Sequence, residues 1–462
     1  MPASLCVPGD YCRWQSALVP CDNSGVRIGG ARLTVETEER SPAWTASGAD
    51  SAAAEAARPR PANIARGTNQ IGVRLYNERL VLSQIRRHGS LPKAEIARQT
   101  GLSAQTITTI MRDLEADGLV ISQGRQRGRI GQPSVPFALK PEGVFSLGLK
   151  VGRRRTDLVL IDFVGGVRKE IHQAASYPTP SSLLAFVAAG IPELTASLAT
   201  RQAKRIAGLG IAAPFELWNW EEQIGAPHSV LDQWRSFDLR ESVARLCPWP
   251  VYFYNDATAA CAAELVFGNA GHHLDFLYFF IGSFIGGGVV LNGQLVPGRT
   301  GNAGAIGSMP IVTTPPGGAA VIQQLIRSAS IYLLANRLIQ SGGDASILWR
   351  SPDDWGDLGA PLDAWIEEVA NGIAFAIVAA IAVIDFPATI IDGAVPAAVR
   401  RRIVDRVNGR LGDFDRQGLS PVTAVEGTIG PAARGIGGAC LPLLASFARD
   451  REVMFKESLS GN

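Results

Sequence analysis

Six cysteines in 462 residues (Cys6, Cys12, Cys21, Cys247, Cys261 and Cys440) show no CxxC or CxC spacing. That absence excludes a disulfide framework and the common zinc signatures, and it fits a reducing compartment. Long hydrophobic runs are missing as well. The longest, Gly372 to Ile384, has 13 residues, short of the ~18 needed to span a bilayer, and reads as a buried helix. The N-terminus has no basic stretch leading into an apolar one, so no secretory signal is read there. Charge is modest: 19% of residues are charged, 46% are hydrophobic, and the net charge is +2. That is ordinary for a soluble globular protein. These absences predict a cytoplasmic protein with no membrane partner, and the length predicts two or three domains.

Residues 1–62 are rich in Ala, Arg, Ser and Pro and carry no sustained period. They read as a disordered extension, or as sequence translated from a misassigned start. The first strong pattern follows at GLSAQTITTIMRDLEADG, Gly101 to Gly118. A Gly-Leu-Ser turn with Ser103 as N-cap opens a helix that buries Ile107, Ile110, Met111 and Leu114 at helical spacing. Ala104, Gln105, Thr108, Thr109 and Arg112 form its exposed stripe, with Thr106 beside them. Upstream, KAEIARQT (Lys93 to Thr100) forms a shorter helix with Ile96 and Ala97 inward, and ERLVLSQIRR supplies a supporting one. Two short helices across a tight turn make a helix-turn-helix. LVISQ, GRQRGRIGQ and PSVPFAL then read as strand, basic hairpin and strand, a wing with Arg125, Arg127 and Arg129 at its tip. From Arg60 to Gln132 there are 12 Lys/Arg against 5 Asp/Glu, a balance of +7 that leaves −5 for the remainder. A basic module on an acidic body is the electrostatic footprint of double-stranded DNA binding.

From Val144 onward strand-like and helical runs alternate. One cycle covers VFSLGLKV to RIAGLGIAAP, and a second starts at PVYFYNDATAACAAELVFG. Two such cycles predict an α/β protein of two similar lobes with a cleft between them. Residues 66–446 resemble the ROK-family transcriptional regulators: a winged helix-turn-helix fused to a sugar-kinase-like body. The resemblance is carried by GLSAQTITTIMRDLEADGLV, YNDATAACAAE, IGSFIGGGVVLNGQLVPGRTGNAGAIGSMP and DFPATIIDGA. It implies an α/β, two-lobed actin/hexokinase-like (ribonuclease H-like) body behind an N-terminal winged helix-turn-helix domain. The expected divisions are 1–62, a winged helix-turn-helix over 66–140, the kinase-like body over 144–448, and a tail over 449–462.

Departures from the family pattern predict which branch this is. Where the sugar kinases have an Asp-x-Gly-Gly-Thr phosphate turn, this chain has Lys150-Val151-Gly152-Arg153-Arg154. Bulky side chains there deny phosphate its approach to backbone N–H groups. In the second phosphate loop Phe284 replaces a glycine, and the late Gly-Gly-Gly turn is Asp392-Gly393-Ala394. No catalytic residue, cofactor or metal is therefore expected. On the sugar side the resemblance places ligand contacts at Asn255 and Asp256, Asp256 being the vestigial position of the kinase base. A carboxylate and an amide suit sugar hydroxyls, while the bare sequence favours Asn255 as the N-cap of the following helix, with Asp256 favouring its dipole. The family's Gly-Glu-x-Gly-His motif is Gly304-Ala305-Ile306-Gly307-Ser308, so Ala305 and Ser308 stand where a carboxylate and a zinc-linked histidine would be. No Cys, His or acid follows in TTPPGGAAVIQQL, so no zinc is expected. The Gly-Arg-Pro of family wings is here Gly131-Gln132-Pro133. The trio Trp218, Trp220 and Trp234 reads as packing, and His272-His273 as solvated surface. The combined expectation is a repressor that binds operator DNA as a homodimer or homotetramer and senses a sugar or derivative. The alternatives are a sugar kinase with residual activity and a constitutive DNA binder with a vestigial body.

Overall fold

The computed structural model describes residues 70–124 and 135–449, apart from 154, 176, 216–226, 269–272 and 315–317, together with residue 454. The extension over 1–62, the wing residues Arg125, Arg127, Arg129 and 131–133, and Arg154, Trp218, Trp220 and His272 lie outside the described residues.

The first module is built from α1 (Gln70–His88), β1 (Ser90–Pro92), α2 (Lys93–Thr100), α3 (Ala104–Ala116), β2 (Val120–Ser122) and β3 (Pro136–Leu139). Gly101 ends α2 with φ of 72°, a left-handed conformation that glycine adopts without steric cost. Two residues on, the Ser103 hydroxyl caps α3 by accepting the Thr106 N–H at 3.1 Å. The tight turn and the helical period together bury Ile107, Ile110, Met111 and Leu114 against Val81, Ile85 and Ile96. Antiparallel β2 and β3 pair Val120 with Leu139, and β1 completes a sheet of order β1-β3-β2. These are the two arms of the expected wing.

The body holds two five-stranded sheets. The first contains β4 (Phe145–Val151), β5 (Arg155–Asp162), β6 (Val167–Ala174), β7 (Ile206–Ala212) and β8 (Val251–Tyr254) in the order β6-β5-β4-β7-β8. Helix α4 (Pro180–Thr195) covers it. After α5 (Asp256–Phe267), the second sheet contains β9 (Phe276–Ile281), β10 (Gly286–Leu291), β11 (Gln294–Leu295), β12 (Ala388–Gly393) and β13 (Thr423–Glu426). Its order, β11-β10-β9-β12-β13, repeats that of the first: third, second, first, fourth and fifth strand. In both sheets the first two pairings are antiparallel and the last two parallel. The duplicated topology is the expected two-lobed architecture.

One boundary differs from the sequence reading. Val251–Tyr254 opens no second cycle; it pairs in parallel with β7 and closes the first sheet. A half-buried apolar strand reads the same whichever sheet it joins, and only its partner decides. The apolar run at Gly372–Ile384 also sits in a longer element, the 23-residue helix Gly359–Ile381, long and apolar enough by length and composition to cross a bilayer. Its buried face, with Trp365, Ile366, Val369 and Ile373, lies in the core of the second lobe. Its acids face outward, and Glu367 pairs with Arg406 at 2.7 Å.

Helix α6 (Ala433–Phe447) packs directly on α5 and on β4 and β7. Small residues permit that approach. A Cβ at Gly437 would overlap the Ala259 carbonyl, and one at Gly210 the Gly438 carbonyl. Both helices end against the first module, where Phe267 and Phe447 join its apolar cluster.

Candidate functional site

The cleft-side site begins where β8 turns into α5. The Asn255 side chain accepts the Ala257 N–H at 3.0 Å, so it caps α5. Asp256, the first residue of the helix, accepts a hydrogen bond from Arg434 Nη1 on its Oδ2 at 3.0 Å. The two side chains are 17% and 18% exposed, so the ion pair is largely removed from water. The Arg434 guanidinium also lies 5.0 Å from the centroid of the Phe280 ring. Its buried Nε has no hydrogen-bond partner among the described residues.

Arg434 lies in GPAARGIGGACLPLL, a stretch with no motif that marks it as a site. A local cue does exist. A cation in the first turn of a helix opposes the helix dipole, so an arginine there implies a tertiary partner strong enough to hold it. Asp256 is that partner.

The three turns that correspond to phosphate loops are filled by the protein itself. In the first, Lys150 Nζ donates to Asp157 Oδ2 at 2.7 Å, Arg155 pairs with the same carboxylate, and Arg155 Nη2 reaches Glu170 at 2.8 Å. Burial and the nearby Arg434 charge push the Lys150 ammonium below its usual value, and Asp157 offsets this only partly. Burial opposes charge on Asp157, but Lys150 and Arg155 outweigh it and hold the carboxyl below the ordinary range. In the second turn, the Arg153 guanidinium lies over the Phe284 ring, 3.2 Å from its centroid, and Phe284 meets Tyr332 edge-on at 5.3 Å. Two residues read separately as departures therefore touch, joining the β4–β5 turn to the β9–β10 turn. In the third, the buried Asp392 carboxylate accepts from the N–H of Gly393 at 2.8 Å and of Gly430 at 3.0 Å. Tyr278 donates to it at 3.1 Å and Arg400 at 3.2 Å. Burial raises the Asp392 pKa in spite of these bonds. Backbone donors that could cradle a phosphate are thus committed to a side chain.

Ala305 and Ser308 are exposed on the turn around Ile306–Ser308. Gly304, ahead of them, presses on Gly288, and Gly286 presses on Ala257. Strand β10 is therefore the common neighbour of this turn and of the Asn255–Asp256 corner. Among the described residues, no three His, Cys, Asp or Glu side chains form a metal-binding group. Trp234 is a core residue: 4% exposed, its indole N–H donates to the Pro178 carbonyl at 3.0 Å. His273 is half-buried.

On the first module, Ala104, Gln105, Thr108, Thr109 and Arg112 of α3 are exposed. Thr106 is half-buried, and its hydroxyl bonds Ser103 Oγ at 2.8 Å, so it belongs to the cap as much as to the stripe. Arg112 bonds Asp113 at 3.1 Å. The N-terminal half of α3 is small and uncharged, the shape that enters a major groove closely.

The module shares one apolar cluster with the body. Val159, Ile161, Phe163, Ala439 and Leu443 join the same core as Ile85 and Met111. Arg205 donates to the carbonyls of Gly143 and Asp117, each at 2.6 Å, and Arg86 to that of Phe163 at 2.7 Å. Phe163 stacks edge-on with Phe447 at the end of α6, and Arg79 donates to the Ala448 carbonyl at 3.3 Å.

Comparison with known proteins agrees with this division. The ROK family model matches residues 146–320, and a winged helix-turn-helix DNA-binding model matches residues 74–121. The chain is similar to a xylose repressor of Bacillus spizizenii, 26% identical over 243 residues, which is 53% of this chain and 62% of that protein. It is also similar to an N-acetylglucosamine repressor of Escherichia coli, 23% identical over 250 residues, 53% of this chain and 61% of that one. The chain thus spans less than two thirds of the length of these curated relatives. Among solved structures, a ROK family transcriptional regulator homologous to the E. coli Mlc protein matches with a TM-score of 0.55. That match has 21% identity and covers 81% of this chain and 98% of that one. A ROK family glucokinase from Streptomyces griseus, solved with glucose and AMPPNP, matches with a TM-score of 0.50 at 19% identity, over 64% and 98%. These structural likenesses speak to fold. The matched segments fall on the first module and on the body, and the chain combines a winged helix-turn-helix domain with a ROK family domain.

Proposed function

We propose that the protein is a DNA-binding transcriptional regulator, a repressor, whose body senses a sugar or sugar derivative without phosphorylating it. The observation that carries the non-catalytic part is the Arg153–Phe284 stack, which takes up space that a nucleotide phosphate needs. The Asp392 network supports the same reading, because it takes up backbone donors. The repressors among the similar proteins support the regulatory reading.

In this reading residues 66–140 bind operator DNA and residues 144–448 respond to ligand. Gln105, Thr106, Thr108 and Thr109 read base edges, with Ala104 against the groove. Arg112 and the wing arginines Arg125, Arg127 and Arg129 hold phosphates. Asn255 and Asp256, with Ala305 and Ser308 on the facing turn, contact the sugar. The chain works in the cytoplasm as a homodimer or homotetramer, since two-fold operators need two modules. A sugar hydroxyl that displaces Arg434 from Asp256 shifts the start of α6 against α5, and both helices end on the DNA-binding module.

The test is fluorescence anisotropy of the purified chain on its own upstream DNA, with sugars and sugar phosphates added singly at fixed salt. One compound is expected to change DNA affinity several-fold. Sugar-dependent release of ADP from ATP, lost in Asp256→Asn, would replace this reading with a kinase. Tight DNA binding that no compound changes would favour a constitutive DNA binder.

A further inference from the structure

A cavity of about 540 Å³ lies between the first module and the body, well away from the Asp256 corner. Its walls come from the last turns of α1, from Ala138 and Leu139 of β3, from the end of α5, and from Leu443 to Phe447 of α6. Most of this lining is apolar, with Leu82, Leu139, Leu265, Phe267, Leu443 and Phe447 as the main contributors. Its charges are of one sign. Arg86, Arg87 and Arg449 line it together with His273, and among the described residues no Asp or Glu does.

Arg86 is the innermost of these cations. Its guanidinium lies 4.7 Å from the Phe163 ring centroid and 5.5 Å from that of Phe267, so both rings flank it. Its Nη1 donates to the Phe163 carbonyl at 2.7 Å, which uses one of the five N–H donors of the guanidinium among the described residues. Burial lowers the Arg86 pKa to about 10. Docking α1 explains one donor and the two aromatic contacts. It leaves a guanidinium with spare donors on the wall of a cavity whose lining, among the described residues, contains no counter-charge. A buried charge gains most when an anion reaches it, because the local dielectric is low and the desolvation cost is already met.

We propose that this cavity is a second ligand site, separate from the cleft, which takes a small amphipathic anion: an apolar ring or chain bearing one anionic group. The anionic group pairs with Arg86, within reach of Arg449 and Arg87, and the apolar body lies along Phe267, Leu443 and Phe447. The ligand touches α1 and β3 on one side and α5 and α6 on the other, so its binding sets how firmly the module is seated on the body.

The probe is 8-anilinonaphthalene-1-sulfonate, a fluorescent aromatic anion, titrated into the full chain. N-phenyl-1-naphthylamine, the same ring system without the sulfonate, is the neutral control. The expected result is one anion bound per chain, more tightly than the control. Arg86→Met should weaken the anion about tenfold and leave the control unchanged, as expected for loss of a charge-assisted contact. Arg449→Met, outside the shared apolar core, should weaken it about threefold and keeps the test open should Arg86→Met fold poorly. Equal binding of anion and control, or an anion affinity unmoved by Arg449→Met together with Arg86→Met, overturns the proposal. A second readout, a change in DNA affinity on adding the sulfonate, rests on the DNA-binding reading, whereas the titration does not. If the sulfonate binds as expected but DNA never binds, the site stands and the functional reading fails.

Discussion

The two ends of the α5–α6 pair are built from opposite materials. At the cleft end, an acid and an arginine meet across the two helix starts, with a second arginine stacked on Phe284 nearby. At the far end, Phe267, Leu443 and Phe447 pack against α1 and Phe163, with Arg86 between the Phe163 and Phe267 rings and Arg87 and Arg449 near them. Between them the helices are held at backbone contact by Gly437 and its neighbours. Ion pairs and stacked cations can be exchanged for ligand hydroxyls, whereas an apolar end seated on the module carries a shift to it. The difference teaches which end is suited to sense and which to report.

Breaking the far end should have the largest effect. Phe163 is fully buried, and Phe163→Ala is expected to cost about 3–5 kcal/mol by leaving a cavity in the core shared by module and body. Urea unfolding should show the loss, and DNA affinity should fall with it. Breaking the middle comes next. Gly437→Ala forces a methyl group into the Ala259 carbonyl and is expected to cost about 2–3 kcal/mol, read as a lowered Tm.

The cleft end should be more forgiving. Asp256→Asn leaves the Arg434 guanidinium largely buried without its charge partner and is expected to cost about 1–2 kcal/mol. Adding Arg434→Met should recover part of that loss, and a double-mutant cycle by denaturant unfolding measures it. At the DNA face, Gln105→Ala should change stability by less than ~0.5 kcal/mol. If Gln105 reads a base, the same change should weaken operator binding by about 1–3 kcal/mol.

The smallest effect concerns acid. The Asp157 carboxyl lies below its ordinary value in the fold. Its contribution to stability is therefore complete above the unfolded carboxylate pKa of roughly 4 and is lost as pH falls through the lower folded value. Acid titration of stability should show a shallower loss over that range in Asp157→Asn than in the parent.

What the sequence made legible divides along the same line. The helix-turn-helix could be read because its determinants are local: the Ser103 cap, the left-handed Gly101, and the spacing of Ile107, Ile110, Met111 and Leu114. The alternation of strands and helices was readable too, but the allegiance of Val251–Tyr254 was not, since strand pairing is a long-range choice. In the cleft, Arg153, Phe284 and Asp392 stood out as misfits, while the stack between the first two required folding across the lobes. Arg434, Arg205 and Arg86 went unnoticed because their partners lie 178, 62 and 77 positions away.

The most direct measurement compares operator affinity, with and without the responsive sugar, for the parent chain and the Asn255→Ala/Asp256→Asn double variant. The account predicts a several-fold sugar effect in the parent and none in the variant. A variant that still responds to the sugar would contradict the claim that the cleft end senses and the far end reports.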